Sequence, residues 1–173
     1  LGGDAMNPSA AALIYEAKGR PSDNPLIVHL ADPAEAVHLT EDIPETFARL
    51  AERFWPGPLT LVVRKRASVP DATTGGLPTV ALRIPDNAVA LELIRLARTP
   101  VAAPSANRFG SLSPTTAQHV REDLGSDVAM VLDGGPCPVG VESTILDLSG
   151  EEPRILRPGF LRARDLREIL GSE

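Results

Sequence analysis

KGRPSDNPLIVH, residues 18–29, is the stretch whose reading decides the fold. Two cations, Lys18 and Arg20, stand either side of Gly19, and Pro21 and Pro25 stiffen the loop beyond them. The apolar run Leu26-Ile27-Val28 then ends on His29. This is the pattern of a helix end, a rigid loop and a buried strand, and it predicts an α/β domain. A loop of fixed shape there holds positive charge at a strand edge, a place where anionic ligands are bound. The same spacing also fits two solvated charges at a helix C-terminus, where cations suit the helix dipole, and spacing alone favours that second reading.

Upstream of this stretch, Asn7-Pro8 predicts a helix start with Asn as N-cap and Pro at the first helical position. Ala11, Ile14, Tyr15 and Lys18 fall on one side of that helix, and Gly19 stops it. Downstream, Pro44 predicts a second helix with Phe47, Leu50, Ala51 and Phe54 on its inner face, ended by Trp55-Pro56-Gly57-Pro58. Strands are expected at Leu26–Leu30, Leu59–Val63, Thr79–Ile84, Val101–Ala103, Val128–Leu132, Ser143–Leu148 and Arg154–Leu156, with a loop over Ser68–Pro78. Asp86 is expected to cap a helix running to Leu96 with Leu93, Ile94 and Ala97 inward. Ser113-Pro114 is expected to open a further helix, and Ala163–Leu170 to form a closing one before Gly171. Several strands follow one another without a helix between them, so the sheet is expected to be mixed.

At 173 residues and 43% hydrophobic, the chain is expected to form one domain, 1–173, with a real core. Aromatic residues are only 3%, so that core must come from Ala, Val, Leu and Ile. The 17 prolines and 14 glycines are scattered between apolar runs and read as loop punctuation, not disorder. A net charge of −6 argues against broad non-specific nucleic-acid binding, though not against a local basic rim. One cysteine, Cys137, excludes an internal disulfide and a Cys-based zinc site, and points to a reducing compartment. No apolar run approaches transmembrane length, so no membrane association is expected.

Chemistry concentrates in four polar loops. The first is Lys18–Asn24. The second is Arg83, a strand-end arginine before Pro85 that either points into a cleft or makes a surface ion pair; His29 ends its own strand in the same way. The third is Ala103-Pro104-Ser105-Ala106-Asn107, continuing to Ser113-Pro114-Thr115, whose small residues let backbone N–H groups approach a ligand. Ser113 there is expected at a helix N-terminus, either as an anion contact or as an ordinary cap. The fourth is Glu142-Ser143-Thr144 together with Arg157-Pro158-Gly159. No phosphate-binding Walker loop, no Gly-x-Gly-x-x-Gly after a strand and no Gly-x-Ser-x-Gly is present. What remains is an anion site of Arg, Lys, Ser, Asn and backbone, suited to positioning a nucleotide.

Taken together these loops resemble the YrdC-like domain of threonylcarbamoyl-AMP synthases. The matching runs are KGRPSDNPLIVHL (18–30), FWPGPLTLV (54–62), VALRIPDN (80–87), APSANRFGSLSPT (103–115), VESTILDL (141–148) and ILRPG (155–159), in order over nearly the whole chain. The resemblance implies a twisted mixed β-sheet with flanking helices and a large concave cleft. It implies a nucleotidyltransferase that joins L-threonine, bicarbonate or CO2, and ATP into threonylcarbamoyl-adenylate and pyrophosphate. Mg2+ would accompany the ATP. The product would feed N6-threonylcarbamoyladenosine formation at position 37 of tRNA, in the cytoplasm, with tRNA or the threonylcarbamoyl-transfer proteins as downstream partners. Two alternatives share the domain: a carbamoyl-adenylate-forming enzyme, and an RNA-binding module without turnover.

By position, the resemblance assigns Lys18, Arg20, Asn24, Thr79, Ser105, Asn107, Ser113 and Arg157 to ATP. Lys18 and Arg20 are its catalytic cations, and no protein metal ligand is implied. His29, Arg83, Ala103 and Ser143 are assigned to threonine, with Arg83 taking the carboxylate. In that family a Pro-Thr-x-Thr-x-Tyr-Gly segment directly precedes the Leu-Gly seen at Leu1-Gly2, and supplies a strand and a threonine contact. That segment is expected upstream of Leu1. Some relatives also carry a second C-terminal domain, so the chain resembles either the single-domain form or a fragment.

Overall fold

A computed structural model describes residues 1–138 and 140–171. Seven strands form one mixed sheet: β1 (Gly3–Asp4), β2 (Ile27–His29), β3 (Leu59–Arg64), β4 (Thr79–Arg83), β5 (Val101–Ala102), β6 (Thr144–Asp147) and β7 (Arg154–Arg157). Their spatial order is β1-β5-β2-β4-β3-β6-β7. β2 runs parallel to β4 and β3 parallel to β6, and the remaining pairs are antiparallel. The helices are α1 (Pro8–Lys18), α2 (Glu45–Phe54), α3 (Asp71–Thr74), α4 (Ala88–Ala97), α5 (Ala117–Leu124) and α6 (Ala163–Leu170).

The start and stop signals around α1 act as expected. The Asn7 side chain accepts from the Ser9 N–H at 3.0 Å, and Gly19 closes the helix in the left-handed region at φ 59°. Ala11, Ile14, Tyr15 and Lys18 are all buried, and so are Phe47, Leu50 and Ala51 of α2. The apolar ones among them join Val28, Leu61, Val63, Val80, Leu82, Leu146 and Leu166 in one cluster. Period-2 alternation therefore assigns the sheet two different faces. One packs under α1, α2 and α6, where each fully buried Leu or Val contributes about 2 kcal/mol. The other carries Ile27 and His29, Thr79, Ala81 and Arg83, Thr60 and Val62, Ile145, and Arg157, as the strand registers require.

Five expectations need correcting. Val128–Leu132 forms no strand; it pairs with neither sheet edge, and Met130 and Leu132 are exposed. Ser68–Pro78 is not all loop, because Pro70 sets up the one-turn helix α3 and Gly75 ends it at φ 60°. Asn87, not Asp86, caps α4, its side chain accepting from the Ala90 N–H at 3.0 Å. Only Ile94 of the expected inner face of α4 is buried; Leu93 and Ala97 are exposed. Ser113-Pro114 does not open a helix, since α5 starts after Thr116, whose hydroxyl accepts from the His119 N–H. Three further elements, β1 and 3-10 turns at Pro33–His38 and Gly125–Asp127, were not expected from the sequence. Among the described residues no helix is long and apolar enough to cross a membrane.

Candidate functional site

Register builds one polar row across the open face of the sheet. His29 of β2 lies level with Arg83 of β4. One step beyond the Leu61–Leu82 pair, Thr60 of β3 is level with Arg83. Thr60 pairs with Ile145 of β6, and Ile145 with Arg157 of β7. All of these lie at the end of the sheet where β2 and β4 finish. Thr79 starts β4 on the same face, about 13 Å from Arg83 at about 3.3 Å per residue, so it stands apart from this row.

Arg83 is anchored by one donor only. Its Nε donates to the Gly57 carbonyl at 2.9 Å, and among the described residues its two terminal nitrogens donate to no acceptor. Burial, and then the Arg157 charge, lower its pKa, so it is a desolvated cation with a free planar fork. His29 beside it is 8% exposed, and burial first and Arg83 second push its pKa down to about 3. The ring is therefore neutral at physiological pH and serves as a hydrogen-bonding group, not as a charged proton donor.

Lys18 ends α1 and is 2% exposed. Its ammonium donates to the Ser105 carbonyl at 2.5 Å and to the Asn107 carbonyl, so it ties α1 to the loop after β5. Burial, followed by the Arg20 charge, lowers its pKa to about 8. Arg20 closes its own loop: Nε donates to the Asn24 carbonyl at 3.1 Å, and Nη2 to Asn24 Oδ1 at 2.6 Å and the Pro25 carbonyl at 2.9 Å. Its guanidinium also lies over the Phe109 ring, 5.9 Å from the centroid. Asn107 is buried, and its Nδ2 donates to the carbonyls of Arg108 and Ser111. That fixes the amide orientation and leaves Oδ1 buried without a partner among the described residues. Ala103, just past β5, spends its N–H on the Ile27 carbonyl.

The third group centres on Arg157. Nε and Nη2 donate to the Ser143 carbonyl at 3.1 and 2.8 Å, and Nη2 also to Ser143 Oγ at 2.9 Å. Ser143 Oγ shares a 2.8 Å hydrogen bond with the wholly buried Thr60 hydroxyl. The Glu142 carboxylate accepts from Arg157 Nη1 at 2.9 Å and from Ser113 Oγ at 2.6 Å. Thus Ser113 touches the cluster through its side chain, not through a helix N-terminus.

Of the residues named from the sequence, Lys18, Arg20, Asn24, His29, Arg83, Ala103, Ser105, Asn107, Ser113, Ser143 and Arg157 lie in this one region. Thr60, Phe109 and the bridging role of Glu142 were not among the expectations. A threonine inside the otherwise apolar run Leu59–Val63 is the signal that was available for Thr60. The arrangement can bind polyanions through Lys18, Arg20 and Arg157, and a second carboxylate through Arg83. A hollow of about 300 Å3 opens behind Ser105 and Ala106, bordered by Thr116 and Cys137. A larger one of about 510 Å3, between α4 and the 33–38 turn, contains none of these residues.

A family model described as "Telomere recombination", covering the Sua5, YciO and YrdC proteins, matches residues 1–159. The threonylcarbamoyl-AMP synthase of Pyrococcus abyssi is 49% identical over 172 residues, spanning 99% of this chain and 51% of that protein. The threonylcarbamoyl-AMP synthase of Bacillus subtilis is also 49% identical over 172 residues, spanning 99% of this chain and 50% of that protein. The chain therefore spans about half the length of these relatives. The crystal structure of P. abyssi Sua5 complexed with L-threonine superposes with a TM-score of 0.96 at 49% identity, over 98% of this chain and 50% of that one.

Proposed function

The chain belongs to the Sua5/YciO/YrdC family, and from that premise we propose that it is the catalytic domain of an L-threonylcarbamoyladenylate synthase. The observation that carries the reading is the pairing of two cation sets on one face. A free, half-buried Arg83 fork stands beside neutral His29, and Lys18, Arg20 and Arg157 stand along the loops beyond. The first suits an amino-acid carboxylate, the second a triphosphate.

In this reading Arg83 takes the threonine carboxylate, with His29, Ser143 and the backbone at Ala103 shaping that pocket. Arg20, Asn24, Ser105, Asn107, Ser113 and Arg157 hold ATP, with Lys18 nearest the reacting phosphates and Thr79 at the far end of the face. Threonine's amine combines with bicarbonate or CO2 to give a carbamate, whose oxygen attacks the α-phosphorus as pyrophosphate leaves. The protein's share is positioning and charge stabilisation. Among the described residues no three His, Cys, Asp or Glu side chains converge as metal ligands. The residues present therefore fit Mg2+ held by phosphate oxygens and water, which would offset phosphate charge. The adenylate would pass, in the cytoplasm, to the proteins that modify tRNA.

Pyrophosphate release from ATP and bicarbonate tests the reading. It is expected to depend on L-threonine, and release that proceeds equally without it would sink the assignment and favour a carbamoyl-adenylate former. Salt-sensitive tRNA retention on a filter with no turnover would favour an RNA-binding module instead.

The lowered pKa of Lys18, about 8, gives a pH signature. A bound polyanion favours the ammonium and raises that pKa again, so above pH 8 binding must take up a proton. ATP affinity is expected to fall as pH rises through 8, approaching a tenfold loss per unit, and to flatten below 7. Calorimetry at pH 8.5 in buffers of different ionisation enthalpy reads the uptake directly; a Lys18→Met variant loses both the uptake and the slope.

A further inference from the structure

Three chain segments meet at one carboxylate. Glu142 accepts from Ser113 Oγ, in the loop between β5 and α5, and from Arg157 Nη1, at the end of β7, with 2.6 and 2.9 Å contacts. Its charge also reaches Lys18, Arg20 and Arg83, in each case acting to hold the cation's proton. Yet both members of the Glu142–Arg157 pair are partly exposed, at 46% and 34%. An exposed ion pair of this kind is held only weakly.

We propose that Glu142 is a positioning residue whose carboxylate stands in for a nucleotide phosphate and yields its place when the phosphate arrives. The inference rests on the reading of this face as a triphosphate site. A carboxylate and a phosphate present the same acceptor oxygens to the same donors. Ser113 Oγ and Arg157 Nη1 are the donors that the carboxylate keeps aimed at an oxyanion.

The exchange needs no backbone movement. The Glu142 carbonyl is pinned by the Phe160 N–H at 3.0 Å, and Arg157 stays on the Ser143 carbonyl through Nε and Nη2. Only Nη1 of Arg157 and the Ser113 hydroxyl change partners, while the Glu142 side chain turns to solvent. The carboxylate thus prepares the site and also competes for it.

The test is Glu142→Gln, which keeps the side chain's size and removes its charge. Inorganic tripolyphosphate and ATP are titrated calorimetrically into parent and variant at low salt, with circular dichroism confirming the fold. The variant is expected to bind both roughly two- to fivefold more tightly, the size of an exposed charge pair turned from competitor to neutral. A damaged site would bind less, so a gain separates this role from a merely structural one. Adding Ser113→Ala is expected to remove part of the gain, because one freed donor is then missing. Parent binding with equal or weaker binding by Glu142→Gln overturns the inference and leaves the triphosphate reading standing. If neither protein binds either anion, both fall.

Discussion

An Arg83→Ala variant is expected to bind L-threonine about 100-fold more weakly, the loss of a desolvated bidentate contact to a carboxylate at about 3 kcal/mol, while its affinity for ATP changes less than about threefold. Arg20→Ala is expected to give the opposite order. The asymmetry comes from what each guanidinium does in the protein. Arg83 spends only Nε on protein, at the Gly57 carbonyl, so deleting it removes ligand contacts more than protein contacts. Arg20 spends Nε and Nη2 on the Asn24 and Pro25 carbonyls and on the Asn24 side chain. Removing it loses a cation and also frees the loop that carries Asn24. Arg20→Lys separates the two: it keeps the charge, but its single nitrogen cannot reproduce the planar fork that places Nε and Nη2 on these acceptors, so it is expected to recover only part of the ATP affinity. Equal losses of both ligands in Arg83→Ala and in Arg20→Ala, read by calorimetry, would mean that the two cation sets do not serve separate pockets.

How far the sequence carried depended on the range of the interaction. Local signals worked: the Asn7 cap, the Gly19 stop and the α2 stripe are set within one or two helical turns. Val128–Leu132 failed because a strand is made by its neighbour, and a continuous apolar run without an edge to join stays irregular. Ser113 failed in a related way. Ser-Pro is a good helix opening, but Thr116 sits closer to the helix and wins the cap. Within the site, charged and amide residues could be named from the stretches that hold them. What could not be read was register. The row from His29 to Arg157 exists because five strands align, and it is register that brings Thr60 under Ser143 and makes a buried threonine part of the Arg157 anchorage. The stretch at 18–29 gains its meaning there too. Lys18 is not a solvated helix-end charge, because it is buried on two carbonyls of a loop 87 and 89 residues away.

Gly159→Ala is expected to weaken both ligands together and to lower the melting temperature, although residue 159 carries no functional group. A methyl placed there would sit 2.5 Å from the Glu142 carbonyl oxygen and 2.6 Å from Ser143 C and Thr144 N. All three are backbone atoms, so no side chain can swing aside. The 142–144 segment must move away from the turn after β7. That strains the Phe160 N–H to Glu142 carbonyl bond, the Thr144 N–H to Pro58 carbonyl bond at 2.9 Å, and the Thr144 hydroxyl to Leu161 carbonyl bond at 2.7 Å. It also moves the Ser143 carbonyl and hydroxyl on which Arg157 is braced. Overpacking against fixed atoms costs about 1–3 kcal/mol, and at about 2–4 °C per kcal/mol for a chain of this size the upper end is a drop of about 6–12 °C. Because Ser143 faces the proposed threonine pocket and Arg157 the proposed ATP site, neither ligand escapes, in contrast to the split between Arg83 and Arg20. Gly150→Ala is the matched control: a methyl there meets nothing within 4 Å, and its melting temperature is expected to stay within about 2 °C of the parent. If Gly159→Ala melts with the control and binds ATP and threonine like the parent, the 142–144 backbone is not the brace on which Arg157 depends.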